Sequence, residues 1–210
     1  MTTDLLLIRH GQVHWRRWMG DRISGNDDPS LDEMGREQAQ RLARRLVAER
    51  RATALHTSPS RRARETAEIL ASQFGLEPQV VETLREWSFR PEMGLGDRLQ
   101  LLTVTSLYQV TPLRLLLPSL LTYLWRYSRA LKVFVDAVVE TATRIIKAHP
   151  DQHVVIVAHG GTIEAILSHY FPGEHQWKGG VMRNCSLTHV SIDEAGSRLM
   201  RFDDFLHLSN

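Results

Sequence analysis

Four apolar residues, Leu5-Leu6-Leu7-Ile8, run without interruption and end abruptly in Arg9-His10-Gly11. A run with no polar alternation describes a strand covered on both faces, as in a parallel sheet whose crossover helices lie on either side. Such a strand delivers whatever follows it to its carboxyl end, where open α/β sheets bind their ligands. Here the delivery is a cation, an imidazole and a flexible turn. The pattern returns far downstream, where Val154-Val155-Ile156-Val157-Ala158 leads directly into His159-Gly160-Gly161-Thr162. Two strands ending in His-Gly predict two imidazoles facing one pocket.

Helix signals fall between the strands. Ser30-Leu31-Asp32-Glu33 offers a helix start with Ser30 as cap and early acids against the macrodipole. Ala39, Leu42, Ala43, Leu46 and Val47 then form one apolar stripe at helical spacing. Ala52–Thr57 reads as a second strand. Ser58-Pro59 reads as the start of the next helix, because serine caps well and proline is tolerated in the first turn. That helix should stop at Gly75, and Val80–Leu84 reads as a strand. Leu131, Phe134, Val135, Val138, Ala142, Ile145 and Ile146 mark a long helix ending before Pro150, and Thr162–Tyr170 a shorter one. Asn184–Val190 and Arg198–Phe202 close the chain as two strands around Ala195-Gly196.

Three segments in this order resemble the signature of the histidine phosphatase superfamily, also called phosphoglycerate-mutase-like: Arg9-His10-Gly11, then Ser58-Pro59-Ser60-Arg61-Arg62-Ala63-Arg64-Glu65-Thr66-Ala67, then His159-Gly160. The resemblance covers roughly residues 3–86 and 129–208. It implies a three-layer α/β/α sandwich with a mostly parallel central sheet and a helical cap insertion at about 87–130, within one domain spanning 1–210. A length of 210 residues, 42% hydrophobic and 24% charged, suits that size. The implied activity is a histidine acid phosphatase-type phosphomonoester hydrolase that works without a metal. A phosphoglycerate-mutase-like phosphotransferase and a non-catalytic phosphate- or phosphoprotein-binding module remain the alternatives.

The chemistry of phosphoryl transfer gives the residues their expected roles. Negative charge spread over three oxygens asks for positioning and electrostatic stabilisation. Arg9 and Arg62 supply permanently charged planar forks, and Gly11 and Gly160 are expected to let phosphate approach the backbone. His10 would attack phosphorus as the neutral nucleophile, and a protonated His159 would stabilise the transferred group. Glu86 would give the leaving alkoxide its proton, with its pKa raised by burial, and Glu92 is the competing carboxylate. Arg16 stands where relatives usually place Asn; it either adds charge for the substrate or turns outward.

Residues 99–125 carry a single charge, Arg114. Pro112 and Pro118 break the segment, which argues against a membrane span and for two short helices forming a cap. An apolar cap would suit a small-molecule substrate with a partly apolar portion, and the same surface could support a homodimer. A net charge of +2 does not point to nucleic acid. A single cysteine, Cys185, and the absence of a signal-like start suggest a cytoplasmic chain. His149 and His153 straddle Pro150 and cannot share a helix face, so neither metal nor cofactor is expected.

Overall fold

The computed structural model describes residues 1–14, 28–49, 52–87, 129–173 and 182–209. In chain order the elements are β1 (Thr3–Arg9), α1 (Glu33–Glu49), β2 (Ala54–Thr57), α2 (Arg61–Phe74) and β3 (Gln79–Val80). They continue with a 3-10 turn (Glu82–Leu84), α3 (Arg129–Ala148), β4 (His153–Ala158), α4 (Gly160–Tyr170), β5 (Leu187–Asp193), β6 (Gly196–Asp204) and a closing 3-10 turn (Leu206–Leu208). The six strands form one sheet in the order β3-β2-β4-β1-β5-β6. The first four are mutually parallel, and β5 and β6 add an antiparallel edge.

Alternation along β1 explains the layers, because successive side chains point to opposite faces of a strand. Leu5 and Leu7, with Val154 and Ile156 of β4, pack under Val138, Ala142 and Ile145 of α3 and Ile163 and Ile166 of α4. Leu6 and Ile8, with Val155 and Val157, pack under Ala39, Leu42 and Leu46 of α1 and Ala63, Ala67 and Leu70 of α2. Both faces are therefore dry, as the uninterrupted apolar run requires, and the α/β/α sandwich is present. Leu7 is fully buried, and truncating it to alanine should cost about 2–5 kcal/mol.

Five local expectations change. Helix α1 is capped by Asp32 rather than Ser30, since the Gly35 N–H donates to Asp32 Oδ1 at 2.7 Å, and Val47 at its end is 50% exposed rather than part of the stripe. Helix α2 starts at Arg61 with Ser60 at the cap position, not Ser58. The expected strand Val80–Leu84 shortens to Gln79–Val80 at the sheet edge, and Glu82–Leu84 turns away. Thr83 and Thr141 of α3 join their hydroxyls at 2.6 Å there, while Leu84 is fully buried beside the α3–α4 layer. Strand β5 starts at Leu187 instead of Asn184, because Cys185 takes φ +54° and turns its N–H onto the Arg9 carbonyl at 2.9 Å. The cap expected at about 87–130, including 99–125, lies outside the described residues except at its margins, as do Arg16 and Glu92.

Candidate active site

The carboxyl ends of β1, β2 and β4 converge. The ladder carries on past the last strand residues: the His10 N–H donates to the Ala158 carbonyl and the Ser58 N–H to the Val157 carbonyl, each at 3.0 Å. His10 and His159 meet edge to face, with ring centroids 5.1 Å apart and planes at 61°. Arg62, in the first turn of α2, lies between them. Its Nε donates to His10 Nε2 and its Nη2 to His159 Nδ1, both at 3.2 Å. The pairing that the sequence suggested across most of the chain is thus a direct contact.

Hydrogen-bond partners assign the tautomers, since a carbonyl only accepts and a guanidinium only donates. His10 Nδ1 lies 2.8 Å from the Gly11 carbonyl, so Nδ1 carries the proton and Nε2 keeps its lone pair. In His159 the arrangement is reversed: Nδ1 accepts from Arg62, so the Nε2–H donates to Ser58 Oγ at 2.8 Å. Burial pushes the pKa of His10 well below the usual imidazole value, helped by the Arg62 charge and opposed by the Gly11 carbonyl. Burial does the same to His159, reinforced by His10 and Arg62. The protonated His159 expected from sequence is therefore neutral in this arrangement, with zero exposure.

A cavity of about 550 Å³ opens over this cluster, lined by Arg9, His10, Arg62, Glu86, Trp87 and Asn184 among others. Arg9 donates through Nη1 to the Met182 carbonyl. Glu86 accepts the Trp87 N–H at 3.1 Å, and its Oε1 lies against Gly161 at the start of α4. Burial raises the Glu86 carboxyl above its ordinary pKa, against the Trp87 N–H, the Arg62 charge and the nearby Gly161 N–H. His159 does not line the cavity; it stands behind Arg62.

Gly11 proves to serve packing. Its N–H donates to Thr66 Oγ1 at 3.0 Å, and a Cβ there would sit 2.6 Å from the Gly35 carbonyl oxygen. The two glycines let the loop after β1 press against α1. Gly160 opens α4 directly after His159. Sequence reasoning gave no role to Ser58 beyond a helix cap, to Thr66, or to Asn184, whose Nδ2 donates to the His10 carbonyl at 2.9 Å. Ser58 and Thr66 lay inside the recognised motif, so a signal existed. Asn184 carried none, because its partner is 174 residues away. Among the described residues no group of three or more His, Cys, Asp or Glu could hold a metal ion, and no helix is long and apolar enough to cross a membrane.

A family model described as histidine phosphatase superfamily (branch 1) matches residues 5–204. The chain is 26% identical over 214 residues to a metal-independent phosphoserine phosphatase of Arabidopsis thaliana, covering 99% of this chain and 84% of that one. It is 25% identical to the phosphatase PhoE of Bacillus subtilis, covering 99% and 97%. Among solved structures, a phosphoglycerate mutase from Bacillus anthracis superposes with TM-score 0.75 at 22% identity, covering 99% and 95%. A phosphoserine phosphatase variant from Entamoeba histolytica in complex with phosphoserine gives 0.70 at 20%, covering 99% and 100%. At those identities the structural matches speak for the fold.

Proposed function

The chain belongs to the histidine phosphatase superfamily, and on that premise we propose that it hydrolyses phosphomonoesters without a metal by passing the phosphoryl group through His10. The observation that carries this reading is the His10 tautomer. With Nδ1–H held by the Gly11 carbonyl, the Nε2 lone pair is directed toward Arg62 in a residue that lines the cavity. A nucleophilic imidazole needs a neutral ring, a fixed tautomer and a cationic neighbour for the phosphoryl oxygens, and His10 has all three.

In the first step His10 Nε2 forms a bond to phosphorus as the ester P–O bond breaks, and Glu86 gives its proton to the departing alkoxide. In the second, Glu86 takes a proton from water, the water oxygen bonds to phosphorus, and the N–P bond breaks. Arg9 and Arg62 hold the equatorial oxygens. His159 holds Arg62 through Nδ1, and a bound dianion that draws Arg62 to its oxygens would free Nδ1 and offset the burial and repulsion that keep the ring neutral, letting it share the transferred charge.

The raised pKa of Glu86 and the lowered pKa of His10 set the pH profile. Glu86 is active as an acid while protonated, so rates fall on the alkaline side as it ionises. His10 is active while neutral, so the acid limb lies below the ordinary imidazole value of 6.5. The reading is tested by following phosphate release from a panel including phosphoserine, 3-phosphoglycerate and p-nitrophenyl phosphate with chelator present. Sustained turnover is expected. Activity that vanishes with chelator and returns with a divalent metal overturns it, and tight phosphate binding without turnover supports a binding module instead.

The low charge of residues 99–125 supports a substrate with a partly apolar portion. Replacing Leu115 and Leu116 by Ser should raise KM for a hydrophobic phosphomonoester several-fold and leave inhibition by inorganic phosphate nearly unchanged. Loss of an oligomer with intact kinetics would make the segment an assembly surface instead.

A further inference from the structure

We propose that Gly161 is a positioning residue that holds the Glu86 carboxyl against the first turn of α4, one peptide unit from the glycine that follows His159. The proposal rests on the reading of Glu86 as proton donor. The two glycines after His159 are equivalent in sequence and unlike in space. A Cβ on Gly160 would meet nothing within 4 Å, whereas a Cβ on Gly161 would lie 2.7 Å from Glu86 Oε1, nearer than carbon and oxygen can come.

The carboxyl lies beside the Gly161 N–H, near enough for that group to oppose the rise in its pKa, and this N–H is one of those that a helix start leaves without an intrahelical partner. The next residue ties the same two segments together: Thr162 Oγ1, fully buried, lies 3.4 Å from the Leu84 carbonyl and 3.5 Å from that of Arg85. Helix α4 cannot yield to a new methyl group, because Ile163, Ile166 and Leu167 seat it in the core. The backbone of Leu84 and Arg85 is held as well, by the 3-10 turn and the Thr83–Thr141 contact. What can move is the Glu86 side chain. A methyl at position 161 would therefore turn the carboxyl off the helix start without disturbing the fold.

One helix then carries both halves of the expected chemistry. His159 stands at its cap and Glu86 is pinned to its first turn, so the distance from imidazole cluster to acid is fixed by α4 rather than by the chain leading to Glu86.

Gly161→Ala and Glu86→Gln are the variants to compare, using an alkyl phosphomonoester with a poor leaving group beside p-nitrophenyl phosphate, which needs little protonation. Alanine favours a helix over glycine, so Gly161→Ala should keep its melting temperature. Its kcat on the alkyl ester should fall at least about tenfold more than on p-nitrophenyl phosphate, with the alkaline limb moved to lower pH as burial of the carboxyl is relieved. Adding Gly161→Ala to Glu86→Gln should cost no further selectivity. Glu86→Asp, whose shorter chain clears the methyl, should restore part of the alkyl ester rate in the Gly161→Ala background, and it supplies the readout if the single variant does not fold. If Glu86→Gln shows the leaving-group split while Gly161→Ala leaves ratio and pH limb unchanged, the positioning role is overturned and the acid stands. If Glu86→Gln shows no split, the acid assignment is overturned and this inference with it.

Discussion

Two pairs of histidines in this molecule have nearly the same geometry and different surroundings. His10 and His159 cross at 61° with centroids 5.1 Å apart; His56 and His149 cross at 60° with centroids 5.4 Å apart. His56 and His149 also join Nε2 to Nε2 at 3.3 Å, and His149 Nδ1 faces Gln152 Oε1 at 3.2 Å. His56 keeps a buried Nδ1 with no partner. The first pair is bridged by Arg62 and joined to a cavity lined by Arg9 and Glu86. The second has a neighbouring amide beside it, and the Thr3 hydroxyl donates to the His149 carbonyl at 3.0 Å. Contact between imidazoles does not make a site. A charged fork, a defined lone pair and room for a ligand do.

The largest expected effect separates the pairs outright. His10→Ala should lower kcat/KM at least about a thousandfold, the scale on which loss of a covalent nucleophile is felt, whereas His149→Gln should change it less than about threefold. Comparable losses from both would erase the distinction. A smaller effect isolates what Arg62 adds: Arg62→Lys keeps the charge but not the fork, and should cost about a hundredfold in kcat/KM on any phosphomonoester. A loss below about fivefold would mean that charge alone suffices. The smallest effect reads the second pair through stability. Burial, with the neighbouring His149, pushes His56 down to about 4 from 6.5. The unfolded chain therefore takes up this proton more readily, so stability is full above pH 6.5 and falls by roughly 2–3 kcal/mol as pH drops toward 4. Chemical denaturation across that window should show His56→Asn less acid-sensitive than the wild type; an equal slope would place the proton uptake elsewhere.

What could be read from the chain follows the range of the forces involved. The runs Leu5–Ile8 and Val154–Val157 announced their own burial, because a strand covered on both faces leaves no polar alternation, and their carboxyl ends fixed where His10 and His159 would emerge. Ser58 was misread because the rule for helix caps is local, while its hydroxyl is taken by His159, 101 residues on. Val80–Leu84 has the residues of a strand, but an edge position and the hydroxyl contact from Thr83 to α3 end it after Val80. Asn184 and Cys185 could not be placed in advance, since both are defined by backbone groups of Arg9 and His10 reached only through the tertiary fold. The charge of His159 was not legible for a related reason: sequence supplies the imidazole, but burial and the charges around it, which lower its pKa, act only in the folded chain.

Mixing the protein with a phosphomonoester, quenching within the first turnover under alkaline denaturing conditions that preserve phosphohistidine, and mapping the labelled peptide would locate the phosphoryl group directly. Acid-labile phosphate is expected on the peptide containing His10, attached at Nε2, and none in His10→Ala. Label on His159, on a serine or on no residue during sustained turnover would contradict it.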